Sequence, residues 1–163
     1  TKDVKKYMKG DEIVANKFKM PKGKFVIEVT IADTHGNESV EYCEQLQKEK
    51  PELRIMKAFR VGPENFDPEY IYSYQQVVNG FLFDTYSKGQ EGGTGKAFNW
   101  ELLDRLKLKK PLILAGGLTP ENAVDAVKAV SPFALDINSG VELSPGKKDH
   151  TALKTLIERV HDM

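Results

Sequence analysis

The sequence predicts an α/β protein built on a parallel sheet. Stretches of strand length rich in apolar and β-branched residues recur along the chain, each is followed by a polar or glycine-rich loop, and each loop leads into a segment with helical character. Such units follow one another from about residue 25 to the end, and repeated strand–helix alternation produces parallel strands with right-handed crossovers. The alternation alone leaves two designs open, an open doubly wound sheet and a closed barrel.

Composition limits the classes of protein to consider. The chain has 163 residues, which fits one domain spanning 1–163, and 40% of them are hydrophobic, enough for a sizeable core. Lys and Arg together number 24, as do Asp and Glu, so no basic excess favours nucleic acid or an anionic membrane as partner. No apolar run approaches the roughly 20 residues of a membrane span, and no charged-then-apolar leader opens the chain. We expect a soluble, cytoplasmic protein.

The single cysteine, Cys43, excludes an internal disulfide and any multi-cysteine zinc site. It lies in the middle of a predicted helix among apolar neighbours. We interpret it as a small core residue rather than a reactive thiol, because nothing adjacent in the sequence would lower its pKa.

The sequence gives its weakest signals for secondary structure in the N-terminal residues 1–24. Residues 1–9 could form one or two helical turns and residues 11–15 a short strand. Residues 17–24 are rich in lysine and read as a solvated loop, with a clamp for a substrate phosphate as the less favoured alternative. The next two units are clearer, and comprise a strand at 25–31, a turn at 33–37, a helix at 38–50, a strand at 53–59 and a helix at 69–78.

The third unit has an apolar strand at 80–84 that ends in Asp84. Burial at a strand end could raise the pKa of Asp84 enough for a general acid, and a turn-capping carboxylate is an equally open interpretation. The glycine-rich loop 88–96 is not a nucleotide P-loop, because Ala97 follows Lys96 where Ser or Thr is required. Asn99 then caps a helix that runs to about residue 106.

The fourth unit joins a buried strand at 112–115 to Gly116 and Gly117, with Thr119 as predicted N-cap and Pro120 as first residue of a helix over 120–130. Glycines followed by a helix N-terminus form a good anion site, and an ordinary tight turn is the alternative.

The fifth unit has a strand at 133–137 that leads into a second turn of small residues, Ser139 and Gly140. A loop at 144–148 and a last helix capped by Asp149 follow. Asp136 is interpreted as structural or ligand-orienting. Glycine-bearing turns after two successive strands match the phosphate site of many (β/α)8 barrels.

Several longer motifs occur in one order and spacing. They are His35-Gly-Asn-Glu38, Ile55-Met-Lys-Ala-Phe59, Phe81-Leu-Phe-Asp-Thr85, Gly92-Gly-Thr-Gly-Lys-Ala-Phe-Asn-Trp100, Leu112-Ile-Leu-Ala-Gly-Gly-Leu-Thr-Pro-Glu-Asn122, Phe133-Ala-Leu-Asp-Ile-Asn-Ser-Gly-Val-Glu142 and Pro145-Gly-Lys-Lys-Asp149. On these motifs, residues from about 35 to 163 resemble the C-terminal two-thirds of phosphoribosylanthranilate isomerase, a (β/α)8 TIM-barrel enzyme of tryptophan biosynthesis.

The resemblance implies an Amadori rearrangement of N-(5-phosphoribosyl)anthranilate to 1-(2-carboxyphenylamino)-1-deoxyribulose 5-phosphate, with no metal and no organic cofactor. It implies that Asp84 is the general acid and that Asp136 lines the site. The phosphate would be held around four residues, Gly116, Gly117, Ser139 and Gly140, and a mobile loop containing Gly93 and Gly95 would lie near the ribose. The implied partner is a small phosphoribosyl molecule, and both a monomer and a homodimer are expected states.

The N-terminal part departs from the family pattern. The family opens with a strand carrying Lys-Ile/Val-Cys-Gly, whose cysteine is the general base, and places an anthranilate-binding arginine after its second strand. Neither feature occurs in residues 1–34, and a complete barrel needs about 200 residues. Two interpretations follow. In the one we favour, pieces of the protein such as loops and the first strand are absent from the sequence, and in the other the chain is a truncated, non-catalytic phosphate-binding barrel. An intact-mass measurement separates the two. A related sugar-phosphate isomerase or aldolase-like barrel is less well supported by the motifs.

Overall fold

The computed structural model describes residues 14–17, 27–31, 38–62, 65–85 and 100–163. Strands and helices alternate along most of this part of the chain. The elements are β1 (Val14–Lys17), β2 (Ile27–Ile31), α1 (Val40–Glu49), β3 (Arg54–Val61), α2 (Pro68–Ser73), β4 (Gly80–Thr85), α3 (Glu101–Asp104), β5 (Leu112–Ala115), α4 (Ala123–Val130), β6 (Ala134–Leu135), a 3₁₀ turn (Ser139–Val141), β7 (Glu142–Ser144), β8 (Lys147–Lys148) and α5 (His150–His161).

Strands β1 to β6 form one sheet in strict sequence order. From β2 to β6 every neighbouring pair is parallel, as the sequence predicts. A doubly wound sheet reverses its strand order partway, whereas a barrel adds each new strand on the same side of the last. The observed order therefore favours the barrel-type winding.

Strand β1 lies before the region, from about residue 25 onward, for which the sequence predicts parallel strands. It overlaps the strand predicted at 11–15 and extends to Lys17, within the segment predicted as a loop, and it pairs antiparallel with β2. Residues 18–26 connect the two strands, and this is fewer than the dozen or more residues that a parallel crossover needs. The short connection accounts for the reversed direction. The predicted helical turns at 1–9 lie outside the described residues.

One face of the sheet is covered by the helices. Phe59 of β3 lies beside Phe83 of β4, with ring centroids 5.7 Å apart, and both side chains are buried. Phe59 also meets Tyr74, after α2, edge to face at 5.5 Å. Aromatic side chains remove large apolar areas from water, so this cluster contributes much of the core's stability. The opposite face of β3 and β4, which carries Arg60 and Asp84, leads to the site described below.

A buried ion pair lies within this helix–sheet layer. The side chain of Lys57 on β3 is only 1% exposed, and its Nζ lies 2.5 Å from Glu38 Oε2. The ammonium also donates to the Glu38 carbonyl, at 3.3 Å, and lies 5.2 Å from the centroid of the Tyr74 ring. The Tyr74 hydroxyl donates to the same carbonyl at 2.7 Å, and burial raises the pKa of Tyr74. These contacts join the segment that precedes α1 to the middle of the sheet.

Cys43 occupies the core position predicted for it. Its side chain is buried on α1, and this burial raises the pKa of its thiol. The charge of Lys57 opposes the shift without cancelling it. Lys57 is 14 residues away along the chain, so its effect on the thiol adds to, and does not contradict, the expectation that nothing adjacent in the sequence lowers the pKa of Cys43.

Several element ends differ from the predictions. Helix α2 is one short segment capped by Asp67, whose Oδ1 accepts from the backbone N–H groups of Glu69 and Tyr70, and turns rather than helix follow it. The loop predicted at 144–148 is largely an antiparallel hairpin of β7 and β8, closed at Gly146 with φ +78°. Asp149 caps α5 as predicted. The predicted cap at Asn99 lies outside the described residues.

Two features are absent from the described part of the chain. None of its helices has the length and apolar character needed to cross a bilayer. None of its His, Cys, Asp and Glu side chains gather in groups of three or more that could hold a metal ion.

Candidate functional site

A turn of two glycines follows strand β5. Leu114 and Ala115 end the strand as buried residues, and Gly116 and Gly117 then adopt φ values of +86° and +61°. Residues with a Cβ rarely adopt this left-handed conformation. Both backbone conformations therefore favour glycine. The two residues turn the chain sharply away from the sheet at the carboxyl end of β5.

The side chain of Asn122 holds this turn in place. Its Nδ2 donates to the Gly117 carbonyl at 3.0 Å, and its Oδ1 accepts from the Thr119 N–H at 2.8 Å. Helix α4 consequently begins at Ala123, three residues after the predicted start at Pro120. Thr119 accepts from the Glu121 N–H as a capping residue would, at 3.2 Å, but it caps the turn that precedes the helix.

We predict that Asn122→Ala lowers the free energy of unfolding by about 1–2 kcal/mol, because two hydrogen bonds are lost together. The amide protons of Gly117 and Thr119 should also exchange faster with solvent. Denaturant unfolding and hydrogen exchange measure the two effects. Lys128→Ala, at an exposed position on the same helix, should change stability by less than about 0.5 kcal/mol. Equal effects of the two substitutions would contradict the role given to Asn122.

A second turn, over residues 138–141, follows strand β6 and packs against the first. A Cβ built on Gly140 would lie 1.8 Å from the Leu118 carbonyl oxygen and 3.2 Å from the Thr119 Cα. Only glycine permits so close an approach of the two backbones. The two turns thus form one continuous surface.

Lys148 of β8 holds the second turn in place through hydrogen bonds to Asn138. Its ammonium donates to the Asn138 carbonyl at 2.8 Å, to the Asn138 side-chain oxygen, and to Glu142 Oε1 at 2.8 Å. The hydrogen bond from Lys148 lowers the pKa of Glu142, so the carboxylate that pairs with Lys148 is ionised at neutral pH. The Lys148 ammonium also brings a positive charge close to the second turn.

A cavity of about 330 Å³ opens where these turns meet the ends of β4 and β5. All six predicted site residues that fall in the described part of the chain line it. The lining comprises Leu82, Asp84, Ala115, Gly116, Gly117, Leu118, Asp136, Asn138, Ser139 and Gly140. Gly93 and Gly95, also predicted for the site, lie outside the described residues. The sequence did not assign Leu82, Ala115 or Leu118 to the site, because their apolar character there indicates only a core.

The two turns present backbone donors to this cavity. Among the hydrogen bonds formed within the described part of the chain, the N–H groups of Gly117, Ser139 and Gly140 have no acceptor. Backbone N–H groups that converge on a concave surface stabilise anions, since their partial positive charges need no counter-ion of their own. The arrangement suits the several oxygens of a phosphate group.

Asp84 lies on the other side of the cavity, near the end of β4. Its side chain is 42% exposed, and its Oδ2 lies 3.8 Å from Nε of Arg60, its register partner on β3. Asp136 is exposed in the lining, and its backbone N–H donates to the Leu114 carbonyl at 2.8 Å. The cavity therefore joins a solvent-accessible carboxylic acid group to an anion-binding surface, which is a suitable combination for proton transfer to a phosphorylated substrate.

One family of enzymes resembles this chain over most of its length. A family model described as N-(5'-phosphoribosyl)anthranilate (PRA) isomerase matches residues 24–159. The enzyme of that name from Acaryochloris marina is 39% identical over 136 residues, 83% of this chain. The chain spans only 62% of the length of that relative.

Solved structures give the same result. The phosphoribosyl anthranilate isomerase of Thermotoga maritima matches with a TM-score of 0.64 and 35% identity, covering 78% of this chain and 59% of that one. A second structure, of an isomerase in complex with reduced 1-(o-carboxyphenylamino)-1-deoxyribulose 5-phosphate, matches with a TM-score of 0.57 and 33% identity, covering 78% and 57%. These neighbours are (β/α)8 barrels, and the fold class of this chain is therefore the barrel rather than the doubly wound sheet.

Proposed function

This chain belongs to the N-(5'-phosphoribosyl)anthranilate isomerase family, and on that premise we propose that its cavity binds the phosphate of N-(5-phosphoribosyl)anthranilate and that the protein isomerises this molecule. The observation that carries the proposal is the meeting of Asp84 with the two small-residue turns in one cavity. A phosphate group at Gly117, Ser139 and Gly140 leaves the sugar directed towards Asp84.

The roles in the reaction follow from this orientation. Asp84 donates its proton to the ribose ring oxygen while the bond from that oxygen to C1′ breaks, which opens the sugar to a Schiff base. A general base then removes the proton from C2′, and the electron pair forms an enolamine that tautomerises to the ketone. Asp136, exposed in the lining, orients the sugar hydroxyls. The chemistry uses only proton transfers, so neither a metal nor an organic cofactor is required.

The second candidate is a protein that binds the phosphoribosyl group without isomerising it. The observation that favours it is the position of Cys43, the single cysteine of the chain, which is buried in the core on α1 and is not part of the cavity lining. The described lining thus supplies an acid and a phosphate site, and none of its residues is the cysteine that the family uses as base.

A fluorescence assay with N-(5-phosphoribosyl)anthranilate tests the proposal. Binding followed by conversion to the aminodeoxyribulose product supports the isomerase. Saturable binding with no product supports the second candidate. If the chain neither binds nor converts the molecule, both candidate functions are wrong. The single-domain organisation, the monomeric or dimeric state and the cytoplasmic location stay predictions.

Gly140→Ala tests the phosphate site separately from the chemistry. The added methyl group would overlap the Leu118 carbonyl oxygen, so the two turns must separate. We predict a loss of at least about tenfold in affinity for inorganic phosphate, and a loss of roughly 1–3 kcal/mol in stability from the forced rearrangement. Isothermal titration and denaturant unfolding measure the two quantities.

Gly146→Ala is the matched control. Gly146 also has a positive φ, but it closes the β7–β8 hairpin and a Cβ there would meet no atom within 4 Å. We expect a stability loss of about 1–2 kcal/mol from backbone strain and an unchanged phosphate affinity. If both variants bind phosphate as the unmodified chain does, the two turns are not the phosphate site.

A further inference from the structure

The motif at residues 145–149 has no part in the proposed phosphate contacts or proton transfers. It closes and completes the β7–β8 hairpin, in which Lys148 is the cross-strand partner of Glu142. The hairpin folds the chain back, so that Lys148 contacts Asn138, ten residues earlier in the sequence. The motif therefore ends beside the second of the two turns that line the cavity.

The Lys148 ammonium uses all three of its donors at this point. It donates to the Asn138 carbonyl at 2.8 Å, to the Asn138 side-chain oxygen, and to Glu142 Oε1 at 2.8 Å. Asn138 belongs to the cavity lining, whereas Lys148 does not. The lysine thus acts on the cavity through Asn138.

The oxygens of Asn138 and Ser139 are engaged within the chain, and nearby donors are not. Both oxygens of Asn138 accept from Lys148, and the Ser139 carbonyl accepts from the Glu142 N–H. Among the hydrogen bonds formed within the described ranges, the Asn138 Nδ2 and the N–H groups of Ser139 and Gly140 have no acceptor. An ammonium can only donate, so Lys148 also determines which end of the Asn138 amide stays available. An anion at this turn therefore finds donors, while the Asn138 oxygens are already bound.

The charge of Lys148 is compensated by Glu142. The two side chains are 38% and 14% exposed, and the hydrogen bond between them lowers the pKa of Glu142, so both are ionised at neutral pH. A compensated charge attracts a distant anion only weakly. The contribution of Lys148 to anion binding is consequently the arrangement of Asn138 rather than attraction at a distance.

We propose that Lys148 is a positioning residue of the phosphate site, which raises the affinity for a phosphate group by holding both oxygens of Asn138 and leaving the Asn138 amide nitrogen to the ligand. The inference rests on the proposed function, since it takes the phosphate group to bind at the two turns. Lys148 itself does not touch the ligand, and Glu142 keeps its ammonium in place.

Isothermal titration with inorganic phosphate tests the role of Lys148. We expect Lys148→Met to weaken phosphate binding by roughly 5- to 30-fold, because the Asn138 oxygens lose their charged donor. Lys147→Met is the matched control, since Lys147 is the preceding residue on the same strand and is exposed. It removes the same charge and should change the affinity by less than about twofold.

Two further measurements separate positioning from charge and from stability. The ratio of the Kd of Lys148→Met to that of the unmodified chain should stay within about twofold between roughly 0.05 and 0.5 M salt, because an arrangement of donors is not screened as a charge is. Lys148→Met/Glu142→Gln no longer leaves an unpaired carboxylate, so it should regain much of any stability lost on thermal unfolding, but not the phosphate affinity.

Equal losses of affinity in Lys148→Met and Lys147→Met, or a Kd ratio that falls towards one at high salt, would assign the effect to charge. Recovery of affinity together with stability in the double variant would assign it to folding. Either result, or no loss in Lys148→Met, overturns the role of Lys148 while the proposed function stands, because the unmodified chain still binds phosphate. If the unmodified chain binds no phosphate, the proposed function fails, and the role of Lys148 fails with it.

Discussion

Lys57→Met is expected to lower the free energy of unfolding by about 3–5 kcal/mol, because it leaves the buried carboxylate of Glu38 without its partner. Glu38 is 8% exposed and Lys57 1%, so water cannot replace the lost ammonium. For a chain of this size the midpoint of thermal unfolding should fall by roughly 6–20 °C. Denaturant and thermal unfolding, followed by circular dichroism, measure both quantities.

Two further variants make this expectation specific. In Lys57→Met/Glu38→Leu neither charge is buried, so most of the lost stability should return even though the ion pair is gone. Lys48→Met removes an exposed lysine, 3.9 Å from Glu44, and should change stability by less than about 1 kcal/mol. If Lys57→Met is as mild as Lys48→Met, the buried pair does not stabilise the contact between β3 and the start of α1.

Asp84→Asn is expected to reduce the rate of isomerisation by roughly 10²- to 10⁴-fold, the usual contribution of a general acid. An amide has nearly the shape of the carboxylic acid but cannot deliver the proton to the ring oxygen. The turns at residues 116–117 and 138–141 are unchanged in this variant, so the affinity for the phosphoribosyl ligand should change by only a few fold. Turnover is measured by fluorescence and affinity by titration.

The control for this variant is Asp104→Asn, an exposed position on α3 outside the cavity lining, which should leave the rate unchanged. A full rate in Asp84→Asn would show that another group donates the proton. A large loss of affinity with an unchanged rate for bound substrate would assign Asp84 to binding instead of proton transfer.

Much of the lining of the candidate site could be predicted because its signals are local. Apolar strand sequences, glycine pairs and helix caps each depend on a few consecutive residues, and parallel strands bring their carboxyl ends to one edge. Asp84, Gly116 and Ser139, which belong to three different strand ends, were therefore predicted together and line one cavity. The exact start of α4 was missed, since Asn122 could equally have served as an ordinary helical residue.

The contacts that connect these elements were not predictable in the same way. Nothing near Lys57 in the sequence indicates that its ammonium is buried, because its partner Glu38 is 19 residues earlier. The local sequence likewise does not indicate that Lys148 donates to Asn138, or that Arg60 lies beside Asp84. Each depends on which strands become neighbours and in what register.

The amino-acid sequence by itself thus determined the order of strands and helices, the residues that stand at the strand ends, and the family resemblance. The tertiary structure decided the antiparallel direction of β1, the close approach of Gly140 to Leu118 and the pairing of charges across the sheet. The physical reason is the range of the forces involved. Backbone conformation and periodicity act over a few residues, whereas packing distances and ion pairs exist only once distant segments share one core.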